Sequence, residues 1–166
     1  MPDLESLLKR LVDHRVEFVI VGGYAAVAHG STIVTQDLDI CCRFSPTNLL
    51  RLQKSMSDLH PVHRMTPARL PLRLSRQACG GLRNLYLDTD YGPLDCLGEI
   101  KGVGGFDVVR KHSMVIDLDY GRCRMLDLDT LIKAKKAMGE PRDLQAVAEL
   151  TAIRKKSTPV PRRRSR

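Results

Sequence analysis

The chain has no apolar run long enough to cross a bilayer. The longest, Phe18 to Ala28, is broken by glycines and stops short of the roughly 20 residues a spanning helix needs. It also lacks the basic n-region and apolar h-region of a secretory signal. The opening "MPDLESLLKR" instead places acids in a first helical turn, so a cytoplasmic protein is expected. Cysteine is sparse and unpatterned. Cys41, Cys42, Cys79, Cys96 and Cys123 make an odd set without CxxC spacing, which argues against a disulfide framework or zinc knuckle and for buried reduced thiols. Acidic residues are missing from two stretches. One is the C-terminal "RKKSTPVPRRRSR" (154–166), whose seven basic residues account for most of the net charge of +8 and leave 20 Lys+Arg against 19 Asp+Glu elsewhere. Pro- and Arg-rich and without apolar period, it reads as a tail disordered beyond about residue 156. Such a tail can touch nucleic-acid phosphates weakly, a solubilising end being the plainer reading. The other is 60–83, "HPVHRMTPARLPLRLSRQACGGLR", with five arginines and three prolines, to which the pattern assigns no element.

What remains, residues 1–153, is long enough to bury a core as one domain. Leu4, Leu7, Leu8, Leu11 and Val12 recur at helical spacing behind Asp3, predicting an amphipathic helix over 3–14. "VEFVIV" (16–21) is β-branched and nearly all apolar, as a central strand covered on both faces is. "GGYAAVAHG" follows as a tight turn into a short helix ending at Gly30. "QDLDICC" (36–42) alternates polar and apolar, predicting a strand with one face exposed. Ser45-Pro46 opens a helix whose buried stripe is Leu49, Leu50, Leu52, Met56 and Leu59. "LRNLYLDTDYGPLDCLGEI" reads as a hairpin turning near Asp90 to Gly92, and "SMVIDLDYGRCRMLDL" as another turning at Tyr120-Gly121. Asp127 or Asp129 then caps a helix running to Gly139, and Pro141 opens a last one through about Lys155. A helical crossover between the first two strands and hairpins between the later ones predict an α/β fold with a mixed sheet flanked by helices.

The stretch "VIVGGYAAVAHGSTIVTQDLDICC" (19–42) carries the chemistry. On a strand, Asp37 and Asp39 project from the same side, roughly 6 to 7 Å apart along the chain. Two carboxylates so placed repel unless they share a cation, and hard oxygen ligands suit Mg²⁺ whose octahedron phosphates complete. Gly22 and Gly23, lacking side chains, let backbone N–H groups at a helix start approach phosphate oxygens. A third carboxylate on a neighbouring strand would complete a two-metal site. Asp95, flanked by Leu94 and Cys96, is the choice, with Asp88 and Asp90 as nearby competitors.

These residues resemble the polymerase β-like nucleotidyltransferase superfamily, whose pattern is hG[G/S], nine to thirteen residues, Dh[D/E]h and a later h[D/E]h. Here "VGG" stands at 21–23, thirteen residues intervene, "DLDI" follows at 37–40 and "LDC" at 94–96. The "TxDLDI" form also resembles the minimal nucleotidyltransferases and the AbiEii-type toxins of toxin–antitoxin systems. In those, a C-terminal helical segment carries Lys and Arg-Asp; the matching "LIKAKKAMGEPRDLQAVAEL" makes Lys135 the candidate triphosphate contact and Asp143 a second-tier one. The resemblance covers about residues 16–150 and implies Mg-dependent transfer of a nucleoside monophosphate from an NTP to an acceptor hydroxyl, with pyrophosphate released. Two Mg²⁺ ions are expected, Mn²⁺ being an alternative, with Asp37, Asp39 and Asp95 as ligands. The acceptor is left open among tRNA, another protein and a small molecule. One departure stands out: Gly23 occupies a position where many active members have Ser.

A decoy fits the same pattern. Gly104-Gly105, eleven residues and "DLDY" (117–120) match it, but no apolar strand leads into those glycines. A dinucleotide-binding Rossmann domain is the first rival; it would need glycines where Tyr24 and Val27 stand and leaves two aspartates on one strand face unexplained. A second rival is a protein of this fold that has lost catalysis and acts as a nucleic-acid-contacting or regulatory module. Arg64, Arg69, Arg73 and Arg76 lie between elements that should flank the site, where they can meet acceptor or NTP phosphates. His60 and His63 read as loop residues rather than ligands.

Overall fold

A computed structural model describes residues 1–157. The disorder expected of the basic tail concerns residues 158–166, outside the described ones, while helix continues through Ser157. In chain order the elements are α1 (Leu4–Asp13), β1 (Phe18–Val21), α2 (Gly22–Ala28), β2 (Leu38–Cys42), α3 (Pro46–Ser55), β3 (Val62–His63), α4 (Arg76–Cys79) and β4 (Asn84–Thr89). There follow β5 (Gly92–Leu97), β6 (Glu99–Ile100), β7 (Gly104–Gly105), α5 (Phe106–Lys111), β8 (Ser113–Leu118), β9 (Gly121–Leu126), α6 (Leu128–Met138) and α7 (Pro141–Ser157).

Helices α1, α3, α4 and α6 start where side-chain acceptors meet free backbone N–H groups. Asp3 accepts from the Ser6 N–H, Ser45 from Asn48 and Asp127 from Thr130, so Asp127 rather than Asp129 is the cap of α6. Gly139, at φ 70°, ends that helix in the left-handed region that favours glycine. Leu7, Leu8 and Leu11 of α1 and Leu49 and Leu52 of α3 are fully buried, each such side chain contributing roughly 1.5–3 kcal/mol. All five cysteines are free and buried.

Seven strands form one mixed sheet in the order β3-β4-β5-β2-β1-β9-β8. Both predicted hairpins are present, β4–β5 and β8–β9. The parallel pairs lie elsewhere than expected. β1 and β2 run antiparallel, Phe18 opposite Cys42 and Val21 opposite Asp39, so the segment between them is no crossover. The seven residues of α2 rise about 10 Å and the loop 29–37 leads back to the same end of the sheet. Parallel pairing comes instead from β1 with β9 and β2 with β5. An antiparallel β1–β2 pair also removes the Rossmann reading, which requires a parallel βαβ unit. β2 differs from its expected half-exposed form: it is an interior strand in which all but Asp39 are buried, because β1, β5 and the flanking helices cover it.

Asn48 locks this centre. Its buried side chain accepts from the Glu17 N–H at 2.7 Å and donates to the carbonyls of Glu17 at 3.0 Å and Arg43 at 2.9 Å, joining α3 to the outer ends of β1 and β2. The segment 60–83 supplies the edge strand β3, the single turn of α4 and irregular chain anchored by buried Leu72 and Cys79.

Candidate active site

β1 ends at Val21 and the chain turns at once into α2. Gly22 takes φ +64°, and a Cβ there would stand 2.2 Å from Asp39 Oδ2, so shape and backbone conformation both exclude a side chain. Across the sheet, Asp39 lies opposite Val21 on one side and Asp95 on the other. Asp37 stands at the bend just before β2, one step outside the strand predicted to hold it. One carboxylate oxygen from each of Asp37, Asp39 and Asp95 lies within 4.8 Å of the others, the one such group of metal-capable residues among those described. The competitors are engaged elsewhere, Asp88 with Arg69 and Asp90 with His60 at 2.7 Å. The decoy acids stay out of the cluster: Asp117, on the edge strand β8, pairs with Arg122 at 2.7 Å.

Burial pushes the Asp39 carboxyl up to about 6, and repulsion from Asp37 and Asp95 adds to it; Lys135 and the Gly23 N–H, which donates to this carboxylate, work the other way. Asp95 is also raised, because its burial outweighs the pairing with Arg64. Three crowded carboxylates are a donor set that fits a hard divalent cation.

Two cavities meet at Asp39, Lys135 and Asp143. One, of 160 Å³, is lined by Asp37, Gly23, Thr35 and Arg142. The other, of 430 Å³, holds Gly22, Asp95, Tyr86 and Lys101 against an apolar wall that includes Leu131 and Met138 of α6. Lys135 is mostly buried and pairs with Asp143 at 3.3 Å, which places its ammonium group where the cavities join. All six residues predicted for the site, Gly22, Gly23, Asp37, Asp39, Asp95 and Lys135, therefore border one continuous region.

This frame has a solved counterpart. A candidate nucleotidyltransferase from Thermotoga maritima matches with a TM-score of 0.57 over 90% of each chain, at 14% sequence identity. The two chains share one fold. No protein-family model matches the sequence, and no curated protein matches it. The nucleotidyltransferase-like fold is thus seen in the sheet and helices rather than in overall sequence similarity.

Within this nucleotidyltransferase-like frame, three features escape sequence patterns. The Thr35 hydroxyl lies 2.7 Å from where a Gly23 Cβ would be, and it bonds the Asp37 carboxylate at 3.2 Å and the Asp37 carbonyl at 3.1 Å. Thr35 thus fills the space a serine at position 23 would need. Glu149 of α7 accepts from the Ser31 hydroxyl at 2.9 Å and the Thr32 N–H at 2.6 Å, and Arg142 donates to the Val34 carbonyl at 3.1 Å, fixing the loop that delivers Asp37. Arg64, known from the sequence only as one of several arginines, pairs through Nη2 with both oxygens of Asp95.

Proposed function

We propose that the protein is a metal-dependent nucleotidyltransferase, moving a nucleoside monophosphate from an NTP to an acceptor hydroxyl with release of pyrophosphate. The observation that carries this is the convergence of Asp37, Asp39 and Asp95 beside the Gly22–Gly23 bend. Asp37 and Asp39 would hold two Mg²⁺ ions, or Mn²⁺, between them, and Asp95 the ion nearer the acceptor. When bound, these ions supply charge neutralisation for the phosphates and acidify the acceptor hydroxyl.

The chain's own residues divide the work. Asp37 lines only the smaller cavity and Asp95 only the larger, so the NTP phosphates belong with the former and the acceptor with the latter. Lys135 and Arg142 bring positive charge to the phosphate side. Gly22 keeps side chains away from Asp39, and with a cation held there the Gly23 N–H, which donates to Asp39, would be within reach of a phosphate oxygen. A toxin role within a toxin–antitoxin pair is a finer reading, supported by the "TxDLDI" resemblance alone.

Label transfer from α-³²P NTPs to RNA, protein and small-molecule pools tests the proposal. Labelled product should require Mg²⁺ or Mn²⁺ and vanish in Asp39→Ala. Should wild type and variant prove equally silent while the protein still binds nucleic acid, the alternative of a catalytically silent binding or regulatory module takes its place.

A further inference from the structure

Arg64 follows β3 at the edge of the sheet, and its N–H donates to the Tyr86 carbonyl at 3.0 Å. The register sets Tyr86 opposite Asp95 and Asp95 opposite Asp39, so one row crosses the sheet from Arg64 through Tyr86 and Asp95 to Asp39. The Arg64 side chain reaches over the Tyr86 ring, 5.6 Å from its centroid, and Nη2 meets both Asp95 oxygens. Both side chains are mostly covered, at 25% and 12% exposed, and Arg64 Nε is buried without a hydrogen-bond partner. The guanidinium is therefore anchored by the carboxylate that the proposed mechanism assigns to the acceptor-side ion.

We propose that Arg64 is a positioning residue that masks Asp95 and releases it when a phosphate group of the acceptor takes the guanidinium. This rests on the nucleotidyltransferase reading above. A cation at Asp95 competes with the guanidinium for the same two oxygens and is repelled by its charge, so ion binding at Asp95 and the Arg64 pair oppose each other. Once displaced, Arg64 has no spare carboxylate nearby among the described residues: Asp37 belongs to the same ion site and Asp88 is held by Arg69. A phosphate offers the fork of acceptors that a guanidinium matches, and it would also satisfy the orphaned Nε. The acceptor class that fits is one bearing a phosphate next to its reacting hydroxyl. A neutral acceptor would leave Arg64 on Asp95.

Binding of Mn²⁺ to the full chain, read from the electron paramagnetic resonance of the free ion, tests this without turnover. Arg64→Met should tighten the weaker Mn²⁺ site by roughly tenfold or more, a change that methyl phosphate should reproduce in wild type but not in the variant. In an Asp95→Ala background, which removes the partner itself, Arg64→Met should change nothing. Equal Mn²⁺ isotherms for wild type and Arg64→Met, or no response of wild type to methyl phosphate, overturn the masking role while leaving the metal site intact. Loss of the whole idea, metal site included, would show as Mn²⁺ binding that is absent from wild type and Arg64→Met alike, or that Asp37→Ala does not weaken.

Discussion

Replacing Asp39 by Asn should make the protein more stable and inactive at once. The folded structure holds this carboxyl at about 6 against an ordinary 3.8, chiefly by burial and then by the neighbouring Asp37 and Asp95. At about 1.4 kcal/mol per tenfold change in proton affinity, ionised Asp39 costs the fold about 3 kcal/mol. The sign follows from the proton count. Between 3.8 and about 6 the folded state binds more protons than the unfolded one, so wild-type stability falls as pH rises through that window and the loss is complete above it. Asn keeps the shape, still accepts from the Gly23 N–H, and offers an NH₂ to the neighbouring carboxylates. In chelator, urea unfolding at about pH 8 should show Asp39→Asn more stable by about 1–3 kcal/mol, a gain that shrinks toward zero near pH 4. Mg²⁺ should then stabilise wild type at pH 8 and leave the variant unmoved. A variant less stable than wild type at pH 8, or a difference flat across the pH range, would refute the claim that crowded, buried charge dominates this site.

Three further perturbations address the surrounding frame. Gly22→Ala should abolish label transfer, because its Cβ would sit 2.2 Å from Asp39 Oδ2 at a left-handed backbone; activity within tenfold of wild type would contradict the close approach. Gly23→Ser should lower both activity and stability through collision with Thr35, and Gly23→Ser combined with Thr35→Ala should recover much of the loss; no recovery, measured by label transfer and thermal midpoint together, would show that the Thr35 hydroxyl is not what fills that space. Asn48→Ala removes three hydrogen bonds and strands the Glu17 N–H, a cost of about 2–4 kcal/mol by denaturant titration, with Mg²⁺ binding by the surviving folded protein little changed.

The elements that could be read from residue order are those whose causes are local. Caps at Asp3, Ser45 and Asp127 act on N–H groups three residues on, and the turns at Asp90 to Gly92 and at Tyr120-Gly121 join strands adjacent in sequence. The antiparallel pairing of β1 with β2 is not legible in the sequence, since a helix between two strands ordinarily signals a parallel pair and nothing local reveals that the loop 29–37 doubles back. Segment 60–83 carries no local pattern for a related reason. Its two-residue strand exists only because β4 offers it a partner, and Val62 bridges to Pro71 rather than continuing a pattern of its own.

Sequence alone dictates the chemistry available here: two aspartates one residue apart in an apolar stretch, a glycine pair that frees the backbone, and a third aspartate between Leu94 and Cys96. Those are properties of residue type and spacing within a few positions. Tertiary structure decides which acid joins them, because strand register sets Asp95 opposite Asp39 and Asp88 opposite Pro93, while Asp90 lies in the turn between β4 and β5. It alone pairs Arg64 with Asp95 across 31 positions, ties Glu149 to Thr32 across 117, and sets the Thr35 hydroxyl into the space left at Gly23. Charge and packing act through distance in space, and where the chain folds back on itself that distance is not written in the order of its residues.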